Sequence, residues 1–230
     1  MRIVMKISGE ALKNENSAIS KEMLDKILED IKLLKDNELI LVLGGGNLFR
    51  GRKNIGINDV RMDQIGMMGT VINALAVGDY LNLNGIKTKV YSAFNVDGIV
   101  ERYSYSKVID DLNNKNVIVL GGGCGLVNFS TDFVTVERAV ELKADLVMMA
   151  KSIDGVYDKN PNKFSDCKKF DYLSFEEFLN LGYNDLERGI IDFEANVLLS
   201  KHKIPLYVYG AKNGSISNFI NKKYDGTFIK

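Results

Sequence analysis

Short apolar runs alternate with amphipathic segments along almost the whole of the 230-residue chain. Short apolar runs predict buried strands, whereas apolar residues spaced three and four apart predict helices. The predicted strands are 2–7, 39–43, 88–92, 117–120, 145–149, 206–209 and 227–229. The predicted helices are 21–35, 63–83, 106–112, 131–142, 174–181, 190–201 and 215–221. This alternation favours an α/β fold in which one continuous sheet carries helices on both faces, and not two independent domains.

The composition narrows the class of protein. Hydrophobic residues make up 46% of the chain and charged residues 26%, which is typical of a soluble globular protein with a sizeable core. Thirty acidic and thirty basic side chains cancel, so no overall field favours nucleic acid or an anionic membrane as a partner. No apolar run approaches the roughly twenty residues of a membrane-spanning helix. The N-terminal segment is too short and too charged for a signal peptide, so we expect a cytoplasmic protein.

Metal and nucleophilic chemistry have few candidate residues in this chain. Cys124 and Cys167 are too few and too far apart for a disulfide framework or a zinc site. His202 is the only histidine, which excludes a multi-histidine metal site. Its place between two lysines near a predicted helix end is more typical of a solvated helix terminus than of a catalytic base.

Two glycine triplets each follow a short apolar run. Gly44–Gly46 follow the predicted strand 39–43, and Gly121–Gly123 follow the predicted strand 117–120. A turn without side chains lets backbone N–H groups approach an anionic oxygen closely, especially where a helix follows. A single triplet more often serves a tight turn. Two in equivalent settings predict two phosphate-sized sites on one sheet.

Charged residues next to these turns are candidates for phosphate contact. Lys6 enters a Ser8-Gly9 turn at the end of the first predicted strand, where its ammonium group can follow a moving phosphoryl group. A solvated lysine at the strand end is an equally good interpretation. Arg50 lies about one helical turn after the first triplet, which suits a forked contact to phosphate oxygens. Asp63 either accepts from a ribose or base, or compensates a helix dipole.

Several segments together resemble the bacterial UMP kinases, which belong to the amino-acid kinase superfamily. The segments that carry the resemblance are 6–12, 44–51, 66–67, 70–76, 131–132, 144–145 and 154–157. They occur in the family's order from the first strand to Gly226-Thr227, and their combination is far more specific than any one of them.

The resemblance implies transfer of the γ-phosphoryl group of MgATP to UMP, which gives UDP for pyrimidine nucleotide biosynthesis. It implies a three-layer α/β sandwich with a central, mixed and mostly parallel sheet between helices. The whole chain would form one domain, in which residues 1–143 bind the acceptor and residues 144–230 bind ATP. Mg²⁺ would come with ATP, and no residue is assigned as its ligand.

Site residues follow from the resemblance position by position. The positions that match ATP contacts are Lys6, Ile7, Ser8, Gly9, Gly46, Arg50, Lys151, Tyr157 and Asn160. The positions that match UMP contacts are Gly45, Asp63, Cys124, Gly125, Leu126, Val127, Asn128, Phe129, Ser130 and Thr131. Catalytic roles fall to Lys6, Arg50 and Asp192, with Asp192 as the carboxylate that orients the phosphate-binding lysine. Such transfer needs charge neutralisation and alignment more than a base.

Two of the chain's departures from the family pattern keep other functions open. The family's Gly-Thr-Gly-Asn-Pro segment is Gly123-Cys-Gly-Leu-Val127 here, which removes a hydroxyl and an amide near the uracil and phosphate. This change keeps open a same-fold kinase for another small phosphate or carboxylate acceptor. The usual Lys-Ala-Thr-Lys stretch is Met149–Ser152 here, which keeps open a non-catalytic nucleotide sensor.

The resemblance also implies a homohexamer, with the long helix after the first glycine triplet at a subunit contact. Apolar residues of that predicted helix fit such a contact, but they equally fit the core of one subunit, which is the default interpretation. These residues are Ile65, Met68, Ile72, Leu75 and Ala76.

Overall fold

A computed structural model of the chain describes residues 1–49, 56–184, 190–211 and 215–230. The strands of these residues are β1 (Arg2–Ile7), β2 (Glu38–Leu43), β3 (Thr88–Ser92), β4 (Glu101–Arg102), β5 (Val117–Gly121), β6 (Leu146–Lys151), β7 (Val156–Tyr157), β8 (Lys169–Phe170), β9 (Tyr172–Leu173), β10 (Leu206–Gly210) and β11 (Thr227–Ile229). The helices are α1 (Lys21–Leu33), α2 (Asp59–Leu83), α3 (Tyr105–Asn113), α4 (Thr131–Glu141), α5 (Phe175–Asn184), α6 (Phe193–His202) and α7 (Ser215–Ile220).

In the described part of the chain, nine strands form one sheet in the order β4-β3-β5-β2-β1-β6-β10-β11-β9. Every neighbouring pair is parallel except β10 and β11, which are antiparallel. β7 and β8 pair separately as an antiparallel ribbon. β1 is central and pairs in register with β2 on one side and β6 on the other. The carboxyl ends of β1, β2, β5 and β6 therefore meet at one edge, where an α/β fold places its ligands.

Helices cover both faces of the sheet, which makes three layers. Successive side chains of a strand point to opposite faces. In β1, Val4 packs with the buried residues of α3, α4, α5 and α6, whereas Ile3 and Met5 pack with those of α1, α2 and α7. In β2, Ile40 lies on the same side as Val4, and Leu41 lies on the same side as Ile3 and Met5. The predicted fold class, an α/β sandwich around a mixed and mostly parallel sheet, is confirmed.

The largest differences from the predicted elements lie where the apolar pattern is weak. α2 begins at Asp59 and not at Asp63, because the side chain of Asn58 caps the helix by accepting from the N–H of Val60. α6 begins at Phe193, three residues later than predicted, with Asp192 as its N-cap residue. Four strands of two residues, namely β4, β7, β8 and β9, were not predicted.

A capping box fixes the start of α5. The N–H of Glu177 donates to Ser174 Oγ at 3.1 Å, and the N–H of Ser174 donates back to Glu177 Oε2 at 2.8 Å. Among the residues that the structure describes, no helix is long and apolar enough to cross a membrane.

One face of α2 is exposed in the single chain. Ile65, Met68 and Ile72 are 39%, 42% and 49% exposed, while Leu75 and Ala76 are half-buried. The default interpretation of these residues as core is therefore wrong for the first three. The buried face of α2 consists instead of Met62, Gly69, Thr70, Val71, Asn73, Ala74, Val77, Gly78 and Leu81.

Candidate active site

Strand alternation brings two lysines to one carboxylate. Lys6 lies two residues after Val4 in β1, and Lys151 lies two residues after Met149 in β6, so both share the face that Val4 and Met149 share. β1 and β6 are adjacent and parallel. Asp132 lies in the first turn of α4, which packs on this face. Lys6 Nζ is 2.5 Å from Asp132 Oδ1, and Lys151 Nζ is 2.6 Å from Asp132 Oδ2.

This cluster is buried enough to alter its own titration. Asp132 is only 8% exposed. Burial by itself would raise the pKa of Asp132, but the ammonium groups of Lys151 and Lys6 outweigh burial and hold that pKa below its ordinary value. Burial and the charge of Lys6 lower the pKa of Lys151, although Asp132 opposes them. When all three groups are ionised, one positive charge is in excess, which favours an anionic ligand.

The turn after β2 packs tightly against the turn after β1. The N–H of Gly44 donates to the carbonyl of Ile7 at 2.8 Å. A Cβ atom at Gly9 would lie 2.4 Å from Asn47 Oδ1 and 2.7 Å from the backbone nitrogen of Gly46. Only glycine permits this approach, which sets the backbone of both turns side by side next to Lys6.

Asn73 of α2 holds the first glycine turn in place. Its side chain is fully buried, and its Nδ2 donates to the carbonyl of Gly44 at 2.6 Å and to Asn47 Oδ1 at 2.7 Å. A Cβ atom at Gly45 would lie 2.8 Å from the carbonyl oxygen of Gly66, so this turn also lies directly on the helix. A buried amide with satisfied hydrogen bonds fixes such a turn at low cost.

The second glycine turn is fixed to the same helix. Thr70 Oγ1 accepts the N–H of Gly122 at 2.6 Å and donates to the carbonyl of Met67 at 2.7 Å. Gly122 and Gly123 have φ values of +79° and +60°, in the left-handed region that glycine adopts without strain. α2 thus contacts both turns, through Asn73 and through Thr70.

The segment after the second turn is tied to α2 by Asp63. Asn128 has a φ of +67°, and its N–H donates to Asp63 Oδ2 at 2.6 Å. Asp63 is the fifth residue of α2 and therefore lies beyond the first turn, in which a carboxylate compensates the helix dipole. Ser130 is the N-cap residue of α4 and accepts from the N–H groups of Asp132 and Phe133 at 3.0 and 3.3 Å.

A cavity of about 410 Å³ lies between the two glycine turns, α2 and the start of α4. Its walls include eight of the residues predicted to bind either nucleotide: Ser8, Gly45, Gly46, Asp63, Leu126, Phe129, Ser130 and Thr131. Much of the remaining wall is formed by Phe49, Met62, Gly66, Met67, Thr70 and Gly123. Cys124, Gly125, Val127 and Asn128 belong to the same segment but do not form its wall. We refer to this space as the acceptor-side cavity.

A second cavity, of about 270 Å³, lies beyond Lys151 and is bounded by α5, α6 and the segment after β6. It brings together Lys151, Tyr157 and Asn160. These are the three predicted ATP contacts that lie within residues 144–230. Tyr157 donates its hydroxyl to Asp154 Oδ1 at 2.5 Å, and this bond, together with burial, raises the pKa of Tyr157 to about 12. Asn160 Oδ1 accepts the N–H of Asn162 at 3.0 Å. We refer to this space as the ATP-side cavity.

Arg50 lies outside the described residues. Asp192 was expected to orient Lys6, but the carboxylate in contact with Lys6 is Asp132. Asp192 directly precedes α6 and accepts a hydrogen bond from the hydroxyl of Ser130. From this position its charge acts on Lys151 and raises the pKa of that lysine.

Three residues near the site were not assigned from the sequence as contacts of Lys6 or of the glycine turns. Asp132, Thr70 and Asn73 were interpreted only as parts of segments that carry the family resemblance. Thr70 and Asn73 lie three residues apart on a helix, so they share a face, and polar residues on a face that is otherwise apolar were the available signal. Nothing local to Asp132 reveals its contact with Lys6, which is 126 residues away in the chain.

The whole chain is similar to known phosphotransferases. A model of the amino acid kinase family matches residues 1–210. The uridylate kinases of Actinobacillus pleuropneumoniae and Haemophilus ducreyi are each 38% identical over 99% of this chain and 97% of their own length. The crystal structure of UMP kinase from Ureaplasma parvum superposes with a TM-score of 0.91 at 30% identity, covering 100% of this chain and 98% of that one.

A second solved structure, UMP kinase from Bacillus anthracis, gives a TM-score of 0.90 at 27% identity over 100% of this chain and 95% of that one. The chain belongs to the amino acid kinase family. Its relatives at 38% identity, matched over almost their whole length, are named uridylate kinases, so the resemblance found in the sequence is confirmed.

Proposed function

We propose that this protein is a UMP kinase that transfers the γ-phosphoryl group of MgATP to UMP and releases UDP and ADP. The observation that carries the proposal is the Lys6–Asp132–Lys151 cluster. Lys151 forms part of the wall of the ATP-side cavity, and Asp132 directly follows Thr131, which forms part of the wall of the acceptor-side cavity. Two paired cations thus stand where the phosphates of two nucleotides would meet.

Charge neutralisation is the main task of the protein in this reaction, because the transferred group carries charge on its equatorial oxygens. In the proposed mechanism Lys6 contacts the transferred phosphoryl group and Lys151 the ATP phosphates. Asp132 holds both ammonium groups in place before the nucleotides bind. The backbone N–H groups of Ser8, Gly9 and Gly46 supply further donors, with no reorganisation required at the moment of transfer.

The acceptor would bind with its phosphate at the two glycine turns and its uracil toward the segment 124–131. Leu126 is 64% exposed and forms part of the acceptor-side cavity wall. At this position the family pattern has an asparagine, whose amide is absent here. The selectivity for uracil therefore depends on backbone groups of this segment more than on that side chain. Asp63 supports the segment through Asn128 and stays available at the cavity wall.

Magnesium fits this site as part of the substrate. Among the described residues there is no group of three or more His, Cys, Asp or Glu side chains that could hold a metal ion. Asp132 is engaged by two lysines. The polyphosphate of ATP would carry the ion and supply most of its ligands, as is usual for Mg²⁺ with nucleotides.

The acceptor can be identified with a coupled assay that supplies MgATP and each of UMP, CMP, AMP and GMP in turn. We expect UMP to give the highest kcat/KM. Lys6→Ala should lower kcat by about a hundredfold or more, since it removes a cation that contacts the transferred group, while Lys35→Ala, an exposed lysine, should retain the wild-type rate. Activity on another acceptor alone would favour the same-fold kinase, and binding of ATP without any transfer would favour a nucleotide sensor.

We further propose that the protein acts in the cytoplasm and assembles as a homohexamer. The exposed apolar residues Ile65, Met68 and Ile72 on α2 support a subunit contact there, because such a patch is costly to leave in water. Sedimentation analysis should give a mass six times 25.7 kDa. Ile72→Asp should lower that mass, and a wild-type mass equal to that of one chain would contradict the proposal.

A further inference from the structure

The wall of the ATP-side cavity differs in character from one part to another. The end of β6 and the segment after it contribute most of the polar side chains of this wall. The part of the wall that comes from α5, residues 190–191 and α6 is apolar except at one position. Its members among the described residues are Phe178, Leu181, Ile190, Ile191 and Asn196. A polar group that stands alone in an apolar wall is suited to fix the orientation of a ligand.

Only half of the side-chain amide of Asn196 has a partner. The residue is 3% exposed, and its Nδ2 donates to the carbonyl oxygen of Phe178 at 3.1 Å. Its Oδ1 is buried as well and, within the described part of the chain, accepts no hydrogen bond. The bond to Phe178 distinguishes the two amide atoms, because exchanging them would set one acceptor against another. Buried polar atoms almost always have partners, so Oδ1 indicates a ligand that donates to it.

Packing between α5 and α6 does not by itself account for an asparagine at this position. Phe178 lies inside α5, where the helix supplies its own N–H donor to that carbonyl oxygen, so the carbonyl does not require Asn196. An apolar side chain of similar size would fill the same space without burying an acceptor. The unpaired Oδ1 therefore costs stability, as expected of a group that is kept for binding.

The position of Asn196 along α6 relates it to the phosphate end of the cavity. The N–H of Asn196 donates to the carbonyl oxygen of Asp192 at 3.0 Å, so the two residues are one helical turn apart on one face. The charge of Asp192 acts on Lys151, which was assigned to the ATP phosphates. A nucleotide with its phosphates at Lys151 would therefore have its base further along this face of α6, next to Asn196.

We propose that Asn196 determines the specificity for the base of the donor nucleotide, because its Oδ1 accepts a hydrogen bond from the exocyclic amino group of adenine. This inference rests on the proposed use of ATP. The χ2 torsion of asparagine has a broad minimum, so a small turn directs Oδ1 at the base. With Nδ2 engaged by Phe178, the amide offers the base only an acceptor. A 6-oxopurine such as guanine or hypoxanthine would set its oxygen against Oδ1.

The size of the cavity agrees with this role. Its volume of about 270 Å³ is below the ~300–1,000 Å³ of sites for drug-sized ligands, so it suits a purine base and not a whole nucleotide. Apolar side chains around the base would exclude water from the contact with Asn196, which strengthens a single hydrogen bond.

The first test compares three nucleotides on the wild-type protein by calorimetric titration with Mg²⁺ and without UMP. They are ATP, purine riboside triphosphate, which lacks the amino group, and ITP, which carries an oxygen in its place. We expect purine riboside triphosphate to bind about tenfold more weakly than ATP, because Oδ1 stays unpaired, and ITP to bind more weakly still. Because no acceptor is present, the result does not depend on whether UMP is phosphorylated.

The second test asks whether this discrimination comes from Asn196. Asn196→Leu should bind ATP and purine riboside triphosphate about equally, since neither finds an acceptor. A merely structural role would change both affinities and leave their ratio as it was. Asn113→Leu makes the same change at an exposed helical position and should keep the wild-type ratio. Thermal melting without nucleotide verifies that both variants fold, and the wild-type series decides the matter if Asn196→Leu does not.

The outcomes separate this inference from the function on which it rests. Equal binding of ATP and purine riboside triphosphate to the wild type would overturn the role of Asn196 alone, as would an unchanged ratio in folded Asn196→Leu. Absence of binding by all three nucleotides would overturn the use of ATP as well. Preferential binding of ATP without any transfer to UMP would contradict the kinase and leave the role of Asn196 in place.

Discussion

Asp63 accepts the backbone N–H of Asn128 at 2.6 Å and so ties α2 to the segment that precedes α4. Asn128 has a left-handed backbone, which costs free energy in a residue other than glycine unless its surroundings stabilise it. The carboxylate provides that stabilisation across 65 residues of sequence. The shape of the acceptor-side cavity therefore depends on a contact between two groups of the protein itself.

Asp63→Ala should raise the KM for UMP more than it lowers kcat. A hydrogen bond to a charged group contributes about 1.5–3 kcal/mol, so the increase in KM should be roughly tenfold or more. Asp63→Asn keeps an acceptor oxygen and should recover part of the affinity. Steady-state kinetics with varied UMP at saturating MgATP provide the measurement. Unchanged KM values in both variants would show that this contact does not shape the acceptor site.

Asp132→Asn should destabilise the fold, because two buried ammonium groups lose their common carboxylate. Breaking a buried ion pair in this way costs about 3–5 kcal/mol. The loss should be measured by urea denaturation of both proteins at neutral pH. The pKa of Asp132 is lowered in the folded chain, so its contribution is present above the unfolded value of about 3.9 and is lost as the pH falls through the folded value. The difference between wild type and variant should therefore shrink in acid. A constant difference down to low pH would contradict this assignment.

Thr70→Val should leave the N–H of Gly122 buried without an acceptor. The two side chains have nearly the same shape, so the expected loss of about 1–3 kcal/mol reports the hydrogen bonds of the hydroxyl, which are the one from Gly122 and the one to Met67. Thr70→Ser keeps the hydroxyl and should retain most of the stability. Denaturant midpoints of the three proteins decide the matter; a midpoint for Thr70→Val equal to that of wild type would mean that Gly122 finds another acceptor.

Gly45→Ala and Gly66→Ala form a matched pair. A Cβ atom at Gly45 would lie 2.8 Å from the carbonyl oxygen of Gly66, so the turn must move away from α2. A Cβ atom at Gly66 meets nothing within 4 Å, and alanine in a helix is favoured over glycine by roughly 0.5–1 kcal/mol. Gly45→Ala should lower the melting temperature and Gly66→Ala should raise it slightly. The reverse order would indicate that the turn is loosely packed.

Asp30→Asn should stabilise the protein at neutral pH. The pKa of Asp30 is raised to about 6 in the folded chain, so its ionised form costs up to about 3 kcal/mol above that pH. The cost declines progressively as the pH falls from the folded value towards the unfolded value of about 3.9, and the gain in the variant should therefore be larger at pH ~7.5 than at pH ~5. Urea denaturation at the two pH values, with Asp36→Asn for comparison, checks this. A variant less stable than wild type would mean that Asp30 has a partner in solution.

The sequence predicted the fold well where elements are long and buried. The runs 39–43 of β2 and 117–120 of β5 are apolar without a break, because both faces of a central parallel strand are covered, and such runs identify strands directly. The strands of two residues have no pattern to detect. The start of α2 was missed since its first turn is polar and is fixed by Asn58, a cap whose signal is short and common.

The candidate site was predicted in its parts more than in its contacts. Residues near the glycine turns were found because the backbone geometry there requires glycine. The partner of Lys6 was assigned to Asp192 and is Asp132, because the pairing depends on how α4 lies across β1 and β6. That packing is a property of the assembled sheet, and no local run of residues encodes it.

The place of β1 at the middle of the sheet has a consequence for the proposed chemistry. The strand is hydrogen-bonded along both edges, so the residue that carries the ammonium group can neither slide nor swing outward without breaking two ladders. The backbone of Lys6 therefore stays in place when the nucleotides bind. Any opening or closing of the enzyme has to occur in the segments around β1.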